Sequence, residues 1–197
     1  MKRSFALCSV ALAALTCSAR ATVLYTSFGG SDLGAYSTAG TFMGSVFTPT
    51  SSGTLSLLTF EAFANPTGAG TWNMGLYNNA SGQPGTLIEG WTALVPDSSS
   101  VTTTTLTSVV HPLLSSGTAY WFVVHNTTGA TNLAWESFSA APLGGIWVGS
   151  SLTPLTQQFS TSQTVALELD SVPEPATAAL ASLGLALLAL VRHRATR

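Results

Sequence analysis

The chain has 197 residues, 46 % of them hydrophobic and only 7 % charged, with a formal net charge of −2. Its six basic residues all sit near the ends, Lys2, Arg3 and Arg20 at the start and Arg192, Arg194 and Arg197 at the finish. Residues 22–171 therefore hold no Lys or Arg, which excludes nucleic-acid binding and disfavours phosphorylated ligands, because neutralising phosphate needs cations.

The first 21 residues have the order of a secretory signal peptide: Lys2-Arg3, an apolar run over 5–15, then Ala19-Arg20-Ala21 as a small-x-small site. Signal peptidase is expected to cut after Ala21. The apolar run is shorter than the roughly 20 residues of a bilayer span, which argues against an uncleaved anchor. Cys17 keeps a lipoprotein route open as a lesser alternative, since Thr16 stands before it where such a site wants Gly or Ala. Cys8 and Cys17 are the only cysteines, so cleavage leaves a disulfide-free product that must be held together by apolar burial.

Residues 22–171 are rich in Ser, Thr, Gly and β-formers, with no helical period. β-patterned runs recur at 22–27, 41–47, 54–63, 71–77, 86–94, 102–110, 119–125, 132–137, 145–148 and 164–169. Alternation is clearest where Trp72, Met74 and Leu76 share a face, and where Tyr120, Phe122 and Val124 oppose Trp121, Val123 and His125. The separators carry turn chemistry: Asn65-Pro66-Thr67-Gly68, the stretch 78–85, and Ser115-Ser116-Gly117. The Thr102 to Thr105 run, flanked by Val101 and Leu106, suits a solvent-facing edge strand better than a linker. Nine or ten strands at this spacing predict one all-β domain, an antiparallel β-sandwich of jelly-roll type.

The remaining segment, 172–197, has three parts: Val172-Pro173-Glu174-Pro175, an apolar run over 176–191, and a basic cluster with Arg192, Arg194 and Arg197. The prolines stop the preceding strand and keep an extended segment that an enzyme can grip. A helix over 176–191 reaches about 24 Å, slightly short of a roughly 30 Å hydrocarbon core. Its arginines act as a stop-transfer cluster that holds the end in the cytoplasm by the positive-inside rule. A buried core helix is the alternative, against which stands the lack of a polar stripe between Leu183 and Val191.

At these residues the chain resembles the PEP-CTERM sorting signal of Gram-negative bacteria. The resemblance implies recognition by an exosortase-like membrane protease, cleavage near Pro-Glu-Pro, and a transient inner-membrane anchor. It further implies delivery to the cell surface or the extracellular matrix, in settings of exopolysaccharide and biofilm. The body carries a second likeness. Residues 75–88, with Leu76-Tyr77 and Gly82-Gln83-Pro84-Gly85-Thr86-Leu87, and the later Tyr120-Trp121 strand resemble the choice-of-anchor R class of extracellular β-domains. That class implies a fold and a location, not a reaction.

Signals for chemistry are weak. His111 and His125 are the only bases in the body, and Gly29-Gly30-Ser31-Asp32 lacks the nucleophile elbow of a serine hydrolase. Glu61, Glu89, Glu136 and Glu168 fall in four different predicted strands, so a glycosidase pair is possible only in the sense that any scattered acids allow one. No calcium loop or nucleotide fingerprint is present, so no metal site, cofactor or catalytic residue is assigned. Five tryptophans remain. Core packing is the default for each, and Trp91 and Trp147, beside glycines, are the first candidates for stacking on a sugar ring. The expectation is a non-enzymatic, surface-sorted structural or exopolysaccharide-associated protein, with a carbohydrate-binding module as the alternative and a secreted glycosidase behind it.

Overall fold

The computed structural model describes residues 21–29, 31–38, 42–64, 70–95, 101–126, 133–139, 145–159 and 164–172. Among these the chain is all-β. Its strands are β1 (Val23–Thr26), β2 (Ser31–Thr38), β3 (Phe42–Phe47), β4 (Gly53–Ala64), β5 (Gly70–Ala80), β6 (Gln83–Val95) and β7 (Thr102–Thr107). They continue with β8 (Leu113–Leu114), β9 (Tyr120–Asn126), β10 (Leu133–Ser139), β11 (Ile146–Gly149), β12 (Thr156–Phe159), β13 (Thr164–Val165) and β14 (Leu167–Ser171). No helix among the described residues is long and apolar enough to cross a membrane. Residues 1–20 of the expected signal peptide and the expected tail helix over 176–191 lie outside the described residues.

Every pairing is antiparallel, and two sheets result. The larger runs β1-β14-β4-β10-β13, with β2 also on β10 and with β7 and β8 also on β4; the smaller runs β12-β11-β3-β9-β5-β6. Each sheet buries one face in the same core. Leu55, Leu58 and Phe60 of β4 and Leu167 and Leu169 of β14 meet Met43, Trp72, Leu76, Phe122 and Val124 from the smaller sheet. The two sheets touch through aromatic pairs, Phe60 with Phe122 at 5.7 Å and Tyr25 with Phe47 at 5.2 Å between ring centroids.

The alternation in β5 and β9 is as the sequence suggests. Trp72, Met74 and Leu76 join Tyr120, Phe122 and Val124 in the core, while Trp121 and Val123 face the other way. β7 pairs only with β4 among the described residues and exposes Thr103, Thr105 and Thr107.

Other parts differ from expectation. The eight-residue separator over 78–85 shrinks to a two-residue turn, Ser81-Gly82, because both residues take positive φ (53° and 80°), the backbone twist that closes a tight hairpin. β5 and β6 extend inward to meet it, with bulges around Tyr77. β2, β8 and β12 were not expected as strands. β12 reads Thr-Gln-Gln-Phe, a polar strand at the end of its sheet, and such edges carry little hydrophobic alternation.

On the outward face of the larger sheet, Glu168 and Asp170 alternate with the buried Leu167, Leu169 and Ser171. Burial first, and the neighbouring Glu168 carboxylate second, push the Asp170 carboxyl above its ordinary value. A raised carboxyl pKa in the folded state means that ionisation costs the native state more than the unfolded one, so this contribution to stability falls as pH rises through the carboxylate range. Asp170→Asn is therefore expected to raise the melting temperature at pH 7 and to lose that advantage near pH 3, which thermal melts of both proteins would measure.

Candidate functional site

The outward face of the smaller sheet is not a plain polar surface. Strand register places Trp147, Gly44, Val123, Gly75 and Gly90 side by side across β11, β3, β9, β5 and β6. Glycine inside a strand often marks close approach by another group, and two of these three do so here. A Cβ at Gly44 would stand 3.1 Å from Leu155 Cδ1, and a Cβ at Gly75 would fall 2.5 Å from the Tyr77 ring, which lies along its own strand across the glycine. Gly90 is exposed, and a Cβ there would meet Leu87 Cδ2 and the Met74 carbonyl only at ordinary contact distance (3.7 Å).

One half of this face is covered. Trp121, Val123 and Leu155 form a second buried cluster, with Phe42, Val46, Tyr77, Trp147 and Leu152 packed on it. The covering segment before β12 is tied to the β5–β6 hairpin by Gln83, whose Nε2 donates to the Leu155 carbonyl (3.1 Å) while its Oε1 accepts the Leu155 N–H (2.8 Å). Asn78 and Asn79 brace the same hairpin. Asn78 Oδ1 accepts the Thr86 N–H (2.6 Å), and Asn79 Oδ1 accepts from Gly82 N–H (3.2 Å) and from Trp121 Nε1 (2.9 Å). A Cβ at Gly85 would lie 2.8 Å from the Ala80 Cβ, so glycine is required there. The Leu-Tyr-Asn-Asn and Gln-Pro-Gly elements of the sequence thus act as hairpin and cover chemistry.

The other half is open. Phe42 and His125, cross-strand partners on β3 and β9, stack face to face with centroids 3.9 Å apart and planes within 5°. Beside them Asn73, Met74, Gly75, Tyr77 and Val123 complete the lining of a shallow cavity of about 190 Å³. Asn73 Oδ1 accepts from the Thr92 hydroxyl (2.9 Å), which orients the amide. Desolvation raises the Tyr77 phenol above its ordinary value, so it remains a neutral donor at physiological pH.

The two tryptophans singled out in the sequence occupy different places. Trp91 belongs to the inward face of β6: it is half-buried on the core, edge-on to Phe122 at 6.5 Å, and its Nε1 donates to the Thr107 carbonyl (2.9 Å). Trp147 is on the outward face but packs edge-on to Trp121 at 5.4 Å, and its Nε1 is buried with no hydrogen-bond partner among the described residues. Trp147 does not line the open cavity, which begins at Phe42 on the neighbouring strand β3 and extends over β9 and β5. Sequence reasoning weighed His125 only as a base and passed over Phe42, Asn73 and Tyr77; the signal that unites them is register across three strands, which alternation alone does not supply.

Glu89 is buried on the inward face of β6, apart from the other acids. Glu61 of β4, whose carboxylate meets the Thr103 hydroxyl at 3.5 Å, and Glu168 of β14 stand on the outward face of the larger sheet, where register sets Glu168 opposite Thr59, two residues from Glu61. The side chain of Glu136 lies outside the described residues. Glu89 Oε1 accepts the N–H groups of Val109 (2.6 Å) and Val110 (3.1 Å), and its Oε2 accepts the Ser108 hydroxyl (2.6 Å). Ser108 Oγ in turn accepts the His111 N–H (2.9 Å), while His111 Nδ1 donates to the Leu55 carbonyl (3.1 Å). The serine hydroxyl is therefore engaged by a carboxylate and a backbone amide, and the imidazole is directed elsewhere. Among the described residues no three His, Cys, Asp or Glu side chains gather as a metal site.

The two ends of the domain, which forms one compact unit over Thr22–Val172, are joined. Thr22 N–H donates to Ser171 Oγ (3.1 Å), Ser171 N–H to the Thr22 carbonyl (2.9 Å), and Val172 N–H to the Thr54 carbonyl (2.9 Å). Residues 171–195 match the PEP-CTERM protein-sorting motif. The chain carries an exosortase sorting signal. The match supports an exported protein that is anchored transiently in a membrane, processed by an exosortase-like membrane enzyme, and destined for the surface or the exterior. The motif begins on the last residue of β14, so the sorting element follows the folded domain directly. No curated protein matches the chain.

Proposed function

We propose that this is a non-enzymatic protein of the cell surface or extracellular matrix, structural or exopolysaccharide-associated, delivered there by signal-peptide export and exosortase processing. The observation that carries the proposal is the sorting motif at 171–195, which begins on the last residue of the closing strand of the domain. Its two sheets on one core support a β-sandwich of jelly-roll type, and the braced hairpin at 75–88 fits a domain of the choice-of-anchor R class. Signal cleavage after Ala21 would expose Thr22, which is bonded to Ser171, so both processing points border the same strand pair. Removal of 1–21 and of the tail strips every Lys and Arg from the chain and leaves an acidic β-domain.

Changing Pro173, Glu174 and Pro175 together to Ala in the native host is expected to leave an unprocessed precursor in the membrane fraction, with little protein at the surface. Normal processing and release of that variant would contradict the proposal. Fractionation followed by immunoblotting reads the outcome. A carbohydrate-binding role is the second reading, and the open cavity on the smaller sheet favours it.

A further inference from the structure

The open half of the outward sheet face combines features that a merely solvated surface does not need. Its wall is the stacked Phe42–His125 pair, and the Tyr77 ring crosses Gly75, where any side chain would displace it. Three polar groups at the cavity hold unspent hydrogen-bonding capacity: no bond among the described residues engages Asn73 Nδ2, the His125 ring nitrogens or the Tyr77 hydroxyl. Asn73 is held by Thr92 through its oxygen, which leaves the amide hydrogens free. Aromatic surface beside a few fixed polar groups is how proteins hold amphipathic rings.

Charge narrows the ligand. Residues 22–171 contain seven carboxylates and no Lys or Arg, so uronic acid, sulfated or phosphorylated sugars would meet repulsion and find no fixed cation. The cavity, about 190 Å³, is smaller than the roughly 300–1,000 Å³ that encloses a drug-sized ligand, and so suits one ring rather than a swallowed chain.

We infer that this cavity binds one neutral pyranose ring of an extracellular polysaccharide, stacked against Tyr77 and hydrogen-bonded by Asn73 and His125. The inference deepens the exopolysaccharide-associated reading above and rests on it for the source of the ligand. Phe42 is a positioning residue, fixing the plane of His125. Gly75 makes way for the Tyr77 ring to cross it, and Gly90, exposed and without a side chain, puts no obstacle in the path of the polymer across the sheet.

The test uses the mature exported protein, titrated by calorimetry with cellohexaose, dextran and galactomannan as neutral probes and with alginate as the anionic one. At least one neutral probe is expected to bind with a dissociation constant of about 1 mM or tighter, and alginate more weakly than that probe. Asn73→Ala, at an exposed position, is expected to weaken binding about tenfold with an unchanged melting temperature. Gly75→Ala, which drives out the Tyr77 ring, is expected to remove binding; if that variant does not fold, Tyr77→Ser replaces it. Absence of binding to all three neutral probes at 10-fold that concentration would overturn the inference. So would binding that survives both changes, binding that prefers alginate, or binding lost on Trp147→Ala but not on Asn73→Ala. A correctly processed surface protein that binds no glycan would sink this site alone and leave the sorting proposal standing.

Discussion

Phe122→Ala is expected to destabilise the domain by about 4 kcal/mol and to lower its melting temperature by roughly 8–16 °C. Phe122 is fully buried in β9, a central strand of the smaller sheet. Its ring meets Phe60 of the opposite sheet and the edge of Trp91, so truncation opens a cavity where the two sheets touch. No disulfide is available to limit the loss, because both cysteines precede residue 22. Phe122→Leu keeps most of the volume and should cost about a third as much. Thermal melts of the three proteins would check this; equal losses for Ala and Leu would mean that ring shape, not volume, holds the sheets together.

The second large effect is polar. Glu89→Ala is expected to cost about 3 kcal/mol, near 6–12 °C in melting temperature, because it strands a buried hydroxyl and two backbone N–H groups. Glu89 is only 4 % exposed, and its carboxylate is the shared acceptor for Ser108, Val109 and Val110. These bonds close a turn in which His111 takes a positive φ of 52°, a conformation disfavoured for a residue with a side chain. Glu89→Gln retains an acceptor for the two N–H groups and should recover most of the loss. Hydrogen exchange at Val109 and Val110 should accelerate sharply in Glu89→Ala and little in Glu89→Gln. An unchanged exchange rate in the alanine variant would show that the turn holds itself.

Much of the fold was readable in the sequence because apolar alternation is strong where strands are central. Trp72, Met74 and Leu76 announce the core face of β5, and Tyr120, Phe122 and Val124 that of β9. β2 and β12 escaped because neither carries such alternation: the large apolar residues of β2, Leu33 and Tyr36, are three positions apart, out of phase with a period of two, and β12 has only Phe159 after Thr-Gln-Gln. Nothing in the sequence marks Glu89 as a buried acceptor, because its neighbours in sequence say nothing of Ser108, 19 residues away. The candidate cavity was hidden for a related reason: Phe42, Asn73 and His125 come from three strands and meet only through register. The sorting signal, by contrast, is linear, and its Pro-Glu-Pro element, apolar run and arginines could be read without any fold.

The most direct test of the whole account is the intact mass of the protein recovered from outside its native host cells, combined with sequencing of both its termini. Export and exosortase processing require a product that starts at Thr22 and has lost the apolar run 176–191 with Arg192, Arg194 and Arg197. Processing should fail when the host's sorting enzyme is inactivated. An extracellular product that still ends in Arg197 would contradict the account.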